Sequence, residues 1–219
     1  MKKVLIAILL LGLLPHASAD YIHWVDFRLS APVLRSALEL DMASQGGEQP
    51  LDWIDILALA AAWRGGTGVT VADTQRAAQA LRGDTPPERL PGMAGRYFSY
   101  YREAYGAALG GLAGHFAIRR TDPQTGEAEW IPAYGLKAFS PIAAGYPWSH
   151  YPDFGAQRSY GYARPHLGND ILGALGTPIC AVEGGTVEAL GWNRYGGWRI
   201  GIRSDDRKRY YYYAHLRKD

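Results

Sequence analysis

The sequence pattern changes near Gly110 and Gly111, and this change restricts the fold more than any other feature of the chain. Upstream, apolar residues recur at the three- and four-residue spacing of helices, as in Trp53, Ile54 and Leu57. Downstream, short apolar and aromatic runs alternate with glycine pairs, a pattern typical of strands joined by turns. Helices followed by strands predict an α+β chain with antiparallel sheets.

Residues 20–112 are predicted to form a helical N-terminal region of four helices. Each predicted start suits the first turn of a helix, and each predicted end lies near glycine or proline. Thr70 with Asp73 resembles a capping box. In chain order the predicted starts are Ser30, Pro50 or Asp52, Thr70 and about Arg96.

The remaining chain is predicted to be β structure. Residues 113–159 are expected to form a hairpin and then an aromatic linker loop, because 146–162 is rich in aromatic, glycine and proline residues without a period. Closely spaced short strands then favour a β-sandwich or barrel. These strands are predicted at residues 170–172, 178–182, 186–190, 198–203 and 209–214.

Cys180 is the only cysteine, so the chain can form no internal disulfide. It lies in an apolar run that is typical of a strand. We therefore predict a buried core thiol.

Residues 1–19 have the pattern of a secretory signal. Lys2 and Lys3 precede an apolar run at 4–14, and Ala17-Ser18-Ala19 fits a cleavage site. The apolar run is shorter than the ~20 residues of a membrane span, although an uncleaved anchor remains an alternative. We expect an extracytoplasmic protein with no stable membrane span once the signal is removed.

The charge balance does not favour a nucleic-acid partner. Removal of residues 1–19 takes away two lysines and no acid, so 21 basic and 21 acidic residues remain. Binding to a polyanion usually requires a clear basic excess.

A histidine and a carboxylate lie four residues apart at His166 and Asp170, and His215 follows far downstream. Zinc prefers histidine nitrogen and carboxylate oxygen, and a catalytic site leaves a position for water. An extended strand would hold His166 and Asp170 ~13 Å apart, but a bend at Gly168-Asn169 would bring them together. From spacing alone, a surface pair and a half-buried strand histidine remain open alternatives.

Five motifs in one order resemble the lysostaphin/LytM-type zinc metallopeptidase family. The resemblance covers about residues 160–219 and implies an antiparallel β domain that hydrolyses peptide bonds, mostly in bacterial cell-wall cross-links. It implies that His166 and Asp170 are zinc ligands and that His215 is the catalytic histidine. The motifs are His166-Leu167-Gly168-Asn169-Asp170, Gly176-Thr177-Pro178-Ile179, Gly184-Gly185-Thr186-Val187, Asn193-Arg194-Tyr195-Gly196-Gly197 and Tyr213-Ala214-His215-Leu216.

The third zinc ligand of that family, the second histidine of a His-x-His motif, is absent from these 219 residues. We therefore expect residues 160–219 to be the N-terminal part of an incomplete, C-terminally truncated metallopeptidase domain. The fragment is expected to be inactive and the complete gene product to be an active secreted enzyme of the bacterial cell envelope. His150 is a poor replacement for the missing ligand, because a lone loop histidine rarely has such a role.

Two other functions remain open at this stage. A non-catalytic relative would bind peptidoglycan or a partner protein in the same groove. Alternatively, the helical region would serve as a wall-binding or scaffold module.

Overall fold

The computed structural model describes residues 28–159, 163–166 and 170–218, and the chain divides after Ala108 into two compact units. In the described residues, the first unit is helical and the second unit is built from antiparallel strands. The mixed α+β class is therefore confirmed. The predicted signal at residues 1–19 and the predicted bend at Gly168-Asn169 lie outside the described residues.

Four α-helices make up the described part of the first unit. The capping box predicted at Thr70 is confirmed, because the side chains and backbone N–H groups of Thr70 and Asp73 bond reciprocally. Asp52 caps the second helix by accepting a hydrogen bond from the Ile54 N–H. The helices are α1 (Ala31–Ser44), α2 (Trp53–Arg64), α3 (Val71–Leu81) and α4 (Met93–Leu109), with a 3₁₀ turn at Pro87–Arg89.

The helix α2 is the centre of this unit, since nine of its twelve residues are buried. Its start is fixed by Asp41 of α1, a buried carboxylate that accepts hydrogen bonds from the Trp53 N–H at 3.0 Å and from Gln45 Nε2 at 2.7 Å. These bonds offset the cost of burying a charge. Its end is fixed by Gly65, whose left-handed φ of 64° suits glycine. No helix in the described ranges combines the length and apolar character that a bilayer crossing requires.

All strand pairs of the second unit are antiparallel. Three pairs are two-stranded ribbons, and the last three strands form one sheet in the order β7-β8-β9. The strands are β1 (Ala113–Thr121) with β2 (Ala128–Leu136), β3 (Trp148–Tyr151) with β6 (Asp170–Gly173), β4 (Gln157–Ser159) with β5 (Ala163–Pro165), and β7 (Gly185–Asn193), β8 (Gly197–Ser204) and β9 (Tyr210–Leu216).

Two local predictions in this unit were wrong. Residues 146–162 were predicted as a loop, but they contain β3 and β4, which are too short for their sequence to show a period. Residues 178–182 were predicted as a strand, but they form an isolated bridge between Ile142 and Ile179. Cys180 is consequently exposed and not buried, and its N–H bonds to the Pro141 carbonyl.

A cluster of charges fixes the turn between β8 and β9. Arg209 Nε donates to Glu183 at 2.8 Å, and Arg209 Nη2 donates to Asp206 at 3.0 Å. Asp206 also accepts from the Ser204 hydroxyl at 2.8 Å and from the Lys208 N–H at 3.1 Å. The Lys208 N–H is the largest influence on Asp206, and with Ser204 and Arg209 it lowers the pKa of Asp206 to about 2.

The stability of this turn is expected to fall as the pH is lowered. Because the pKa of Asp206 falls from 3.8 to about 2, its ionised form stabilises the turn above pH 3.8, and this contribution is lost as the pH falls toward 2. In carboxyl NMR titrations the midpoint of Asp206 should lie near 2, and amide exchange in β8 and β9 should accelerate below it. Asp206→Asn should remove that part of the pH dependence. A midpoint near 3.8 would contradict the account.

Candidate metal centre

Four short strands, paired as two ribbons, bring the predicted ligands His166 and Asp170 together. His166 directly follows β5, and its backbone N–H and C=O bond to Ala156 and Gly155 beside β4, at 2.8 and 2.7 Å. Asp170 is the first residue of β6 and pairs with Tyr151 of β3. The two ribbons therefore fix the two backbones independently of the residues between them.

The side chains of Asp153, His166 and Asp170 form a cluster whose ligand atoms all lie within 4.8 Å of one another. His166 Nε2 lies 3.6 Å from Asp170 Oδ1. Two ligand atoms on one tetrahedral zinc ion, each ~2.0–2.2 Å from it, are about 3.3–3.6 Å apart. The donor types and their spacing therefore fit a single divalent ion held by Nε2 and Oδ1.

Asp153 is the buried member of the cluster, with a side chain only 4% exposed, against 22% for His166 and 45% for Asp170. Asp153 Oδ2 lies 3.0 Å from His166 Nδ1, the nitrogen that does not face Asp170. Asp153 Oδ1 accepts a hydrogen bond from the backbone N–H of Asp170 at 3.0 Å. One carboxylate thus contacts both predicted ligand residues.

Arg158 of β4 supplies the positive charge of this centre. Its Nη2 donates to Asp153 Oδ2 and to Asp170 Oδ2, the latter at 2.7 Å, and it lies 3.3 Å from His166 Nδ1. Because Arg158 contacts Oδ2 of Asp170, Oδ1 is the oxygen that faces His166. Two carboxylates against one guanidinium leave a net negative charge, which attracts a cation.

The pKa of Asp153 reflects these contacts. Burial is the largest single influence and favours the neutral acid. The hydrogen bond from the Asp170 N–H and the nearby His166 and Arg158 together outweigh burial, so the pKa of Asp153 lies below its ordinary value. Asp153 is therefore a carboxylate at neutral pH.

His215 lies on β9, in a different sheet from the cluster, and it is not a member of that cluster. The strand pairing shifts there, because Ile200 of β8 pairs with Tyr213 while Trp198 pairs with Leu216. His215 has a φ of 56°, and its N–H bonds to the Gly196 carbonyl at 2.7 Å. Simple alternation from Tyr213 therefore does not give the direction of His215, since a bulge changes where a side chain points.

Sequence reasoning considered His150 near the centre and missed Asp153. His150 is exposed on β3, opposite Ile171, and it lies outside the cluster. In the sequence, the signal for Asp153 was an acid directly before Phe154-Gly155. In the structure, Gly155 has a φ of 80°. Asp153 was not predicted, because the expected third ligand of the family is a histidine.

Comparisons with known proteins agree with the resemblance. A sequence profile of Peptidase family M23 matches residues 164–218, which contain His166, Asp170 and His215. The L-Ala--D-Glu endopeptidase of Bacillus subtilis (strain 168) is 44% identical over 82 residues, which are 37% of this chain and 24% of that protein. The chain thus spans about a quarter of the length of the curated relative it matches. No solved structure matches it.

Removal of the Arg158 charge is expected to loosen this centre. In Arg158→Gln the carboxylates of Asp153 and Asp170 would repel each other without a balancing cation. The amides of His166 and Asp170 should then exchange with solvent about tenfold faster, the size expected for a lost hydrogen bond to a charged group. Hydrogen exchange measured by NMR tests this, with Arg119→Gln on the exposed face of β1 as the matched control. Equal exchange in both variants would contradict the assignment.

Proposed function

We propose that the chain is part of a secreted zinc metalloendopeptidase that hydrolyses peptide bonds of bacterial peptidoglycan, because residues 164–218 match the profile of Peptidase family M23. The observation that carries this proposal is the 3.6 Å approach of His166 Nε2 to Asp170 Oδ1. The family match supports the reaction class, and the spacing of the two side chains supports their proposed role as ligands. An extracytoplasmic location in a bacterial cell envelope follows from this substrate.

The proposed bond is the one between L-Ala and D-Glu. The 44% identical relative is named an L-Ala--D-Glu endopeptidase, and the alignment of 82 residues is about as long as one small domain. Exposed rings flank the centre on β3, where Trp148 and Tyr151 are 54% and 60% exposed. Such rings suit contact with an extended peptide or sugar chain. We propose that β3 forms one wall of the substrate groove of an antiparallel, sandwich-like domain.

Zinc is the proposed cofactor. The imidazole Nε2 of His166 and the Oδ1 of Asp170 would hold it, and the family resemblance adds a third ligand from a His-x-His motif. A bound zinc ion would polarise the scissile carbonyl and lower the pKa of water. His166 and Asp170 contribute by fixing the position of the ion, since both backbones are held by the β ribbons.

His215 is proposed as the catalytic histidine. Its positive φ is uncommon for a residue other than glycine, and such backbone conformations are frequent near active sites. The bond from its N–H to Gly196 ties this bulge to the glycine-rich turn between β7 and β8. In this position we propose that the imidazole moves a proton or stabilises the developing oxyanion.

The activity test uses the gene product together with any residues encoded after position 219. It should cleave a stem peptide at L-Ala–D-Glu, giving two fragments by mass spectrometry, and a chelator should stop the reaction. His166→Ala and Asp170→Ala should lower kcat/KM at least about a hundredfold, since metal ligands are required for the chemistry. His115→Ala, an exposed histidine on β1 that is outside the cluster, is the control and should stay within about twofold.

The outcomes separate this proposal from the alternative. Binding to peptidoglycan without cleavage would favour a non-catalytic relative, as would the absence of a His-x-His motif after position 219. For residues 20–219 alone we expect weak zinc binding and no appreciable cleavage, because two ligands leave the ion open to water. Tight binding of one zinc ion with cleavage by this fragment would contradict that expectation.

A further inference from the structure

We propose that Asp153 is the positioning residue of this metal centre. Its carboxylate fixes the His166 ring with Nδ1 protonated, so that Nε2 faces the ion. The same carboxylate accepts a hydrogen bond from the backbone N–H of Asp170 and so fixes the position of that residue. The inference rests on the proposed metal-binding function and assigns a residue outside the segment that matches the family.

Arg158 Nη2 has a limited number of hydrogens to donate. A guanidinium Nη carries two hydrogens. Arg158 Nη2 donates one to Asp153 Oδ2 and the other to Asp170 Oδ2. It has no third hydrogen for His166 Nδ1, although the two nitrogens are 3.3 Å apart.

The neighbours of the His166 ring determine its tautomer. Because the two hydrogens of Arg158 Nη2 have closer acceptors, the nearer partner of Nδ1 is Asp153 Oδ2 at 3.0 Å. An ionised carboxylate accepts and does not donate, so the proton belongs on Nδ1. In a neutral imidazole the lone pair is then on Nε2, the nitrogen 3.6 Å from Asp170 Oδ1.

The existing contacts of Asp153 distinguish it from a third metal ligand. Its two oxygens already contact Arg158, His166 and the Asp170 N–H, and its side chain is 4% exposed. An ion bound by Asp153 would have to break these contacts, whereas an ion between Nε2 and Oδ1 leaves them intact. A carboxylate behind a ligating histidine is a common way to fix its ring and tautomer.

The test begins with the metal-free 219-residue chain labelled with ¹⁵N at histidine. At mildly alkaline pH, long-range ¹⁵N–¹H spectra should show the neutral His166 ring protonated at Nδ1. The signal is assigned by its loss in His166→Asn. Wild-type protein with the proton on Nε2 would overturn the inference, whatever the variants do.

The second arm uses Asp153→Asn and, as control, Asp205→Asn, which removes an equal charge from an exposed site of the same unit. Asp153→Asn should shift His166 toward the Nε2-protonated form and weaken zinc binding about 10–100-fold in a chelator competition. The control should leave both unchanged, and amide exchange in β7–β9 checks that the variant is folded. An unchanged tautomer and unchanged affinity in folded Asp153→Asn would overturn the inference.

The two proposals fail separately. If His166 is protonated at Nδ1 and changes with Asp153→Asn, but His166→Ala does not alter zinc binding, the positioning of the ring stands and the metal site is wrong. If zinc binding depends on His166 and Asp170 but not on Asp153, the metal site stands and the role of Asp153 is wrong.

Discussion

The buried carboxylate of Asp153 is the interaction on which the candidate metal centre depends. It contacts a side chain 13 residues later and a backbone N–H 17 residues later, and so joins the end of β5 to the start of β6. Without it, the two ribbons would lose the carboxylate that contacts both the His166 ring and the Asp170 backbone. Because the Asp170 N–H, His166 and Arg158 together favour its charged form, the carboxylate can remain ionised although burial opposes this.

Those features of the chain that arise from neighbouring residues were predictable from the sequence. The capping box at Thr70 depends on two side chains three residues apart, so its pattern is visible locally. The order of motifs from His166 to His215 likewise indicated the similarity that the family profile finds in residues 164–218. The convergence of His166 on Asp170 was predicted from a bend at Gly168-Asn169, which lies outside the described residues. In the described residues, two ribbons hold His166 and Asp170.

Other features depend on contacts that are distant in sequence. The burial of Asp153 requires β3, β4 and β6 to meet, and no local pattern reports this. The backbone of His215 depends on a shift in the pairing of β8 with β9, which alternation cannot predict. The exposure of Cys180 follows from the absence of a paired strand around it, although the same residues have strand-like composition.

The most direct test of the central claim is a crystal structure of the zinc-loaded protein with anomalous data at the zinc edge. The account predicts one anomalous peak ~2.0–2.2 Å from both His166 Nε2 and Asp170 Oδ1, with Asp153 still against Nδ1. A peak bound by Nδ1 or by the Asp153 carboxylate, or a protein that takes up zinc elsewhere, would contradict it.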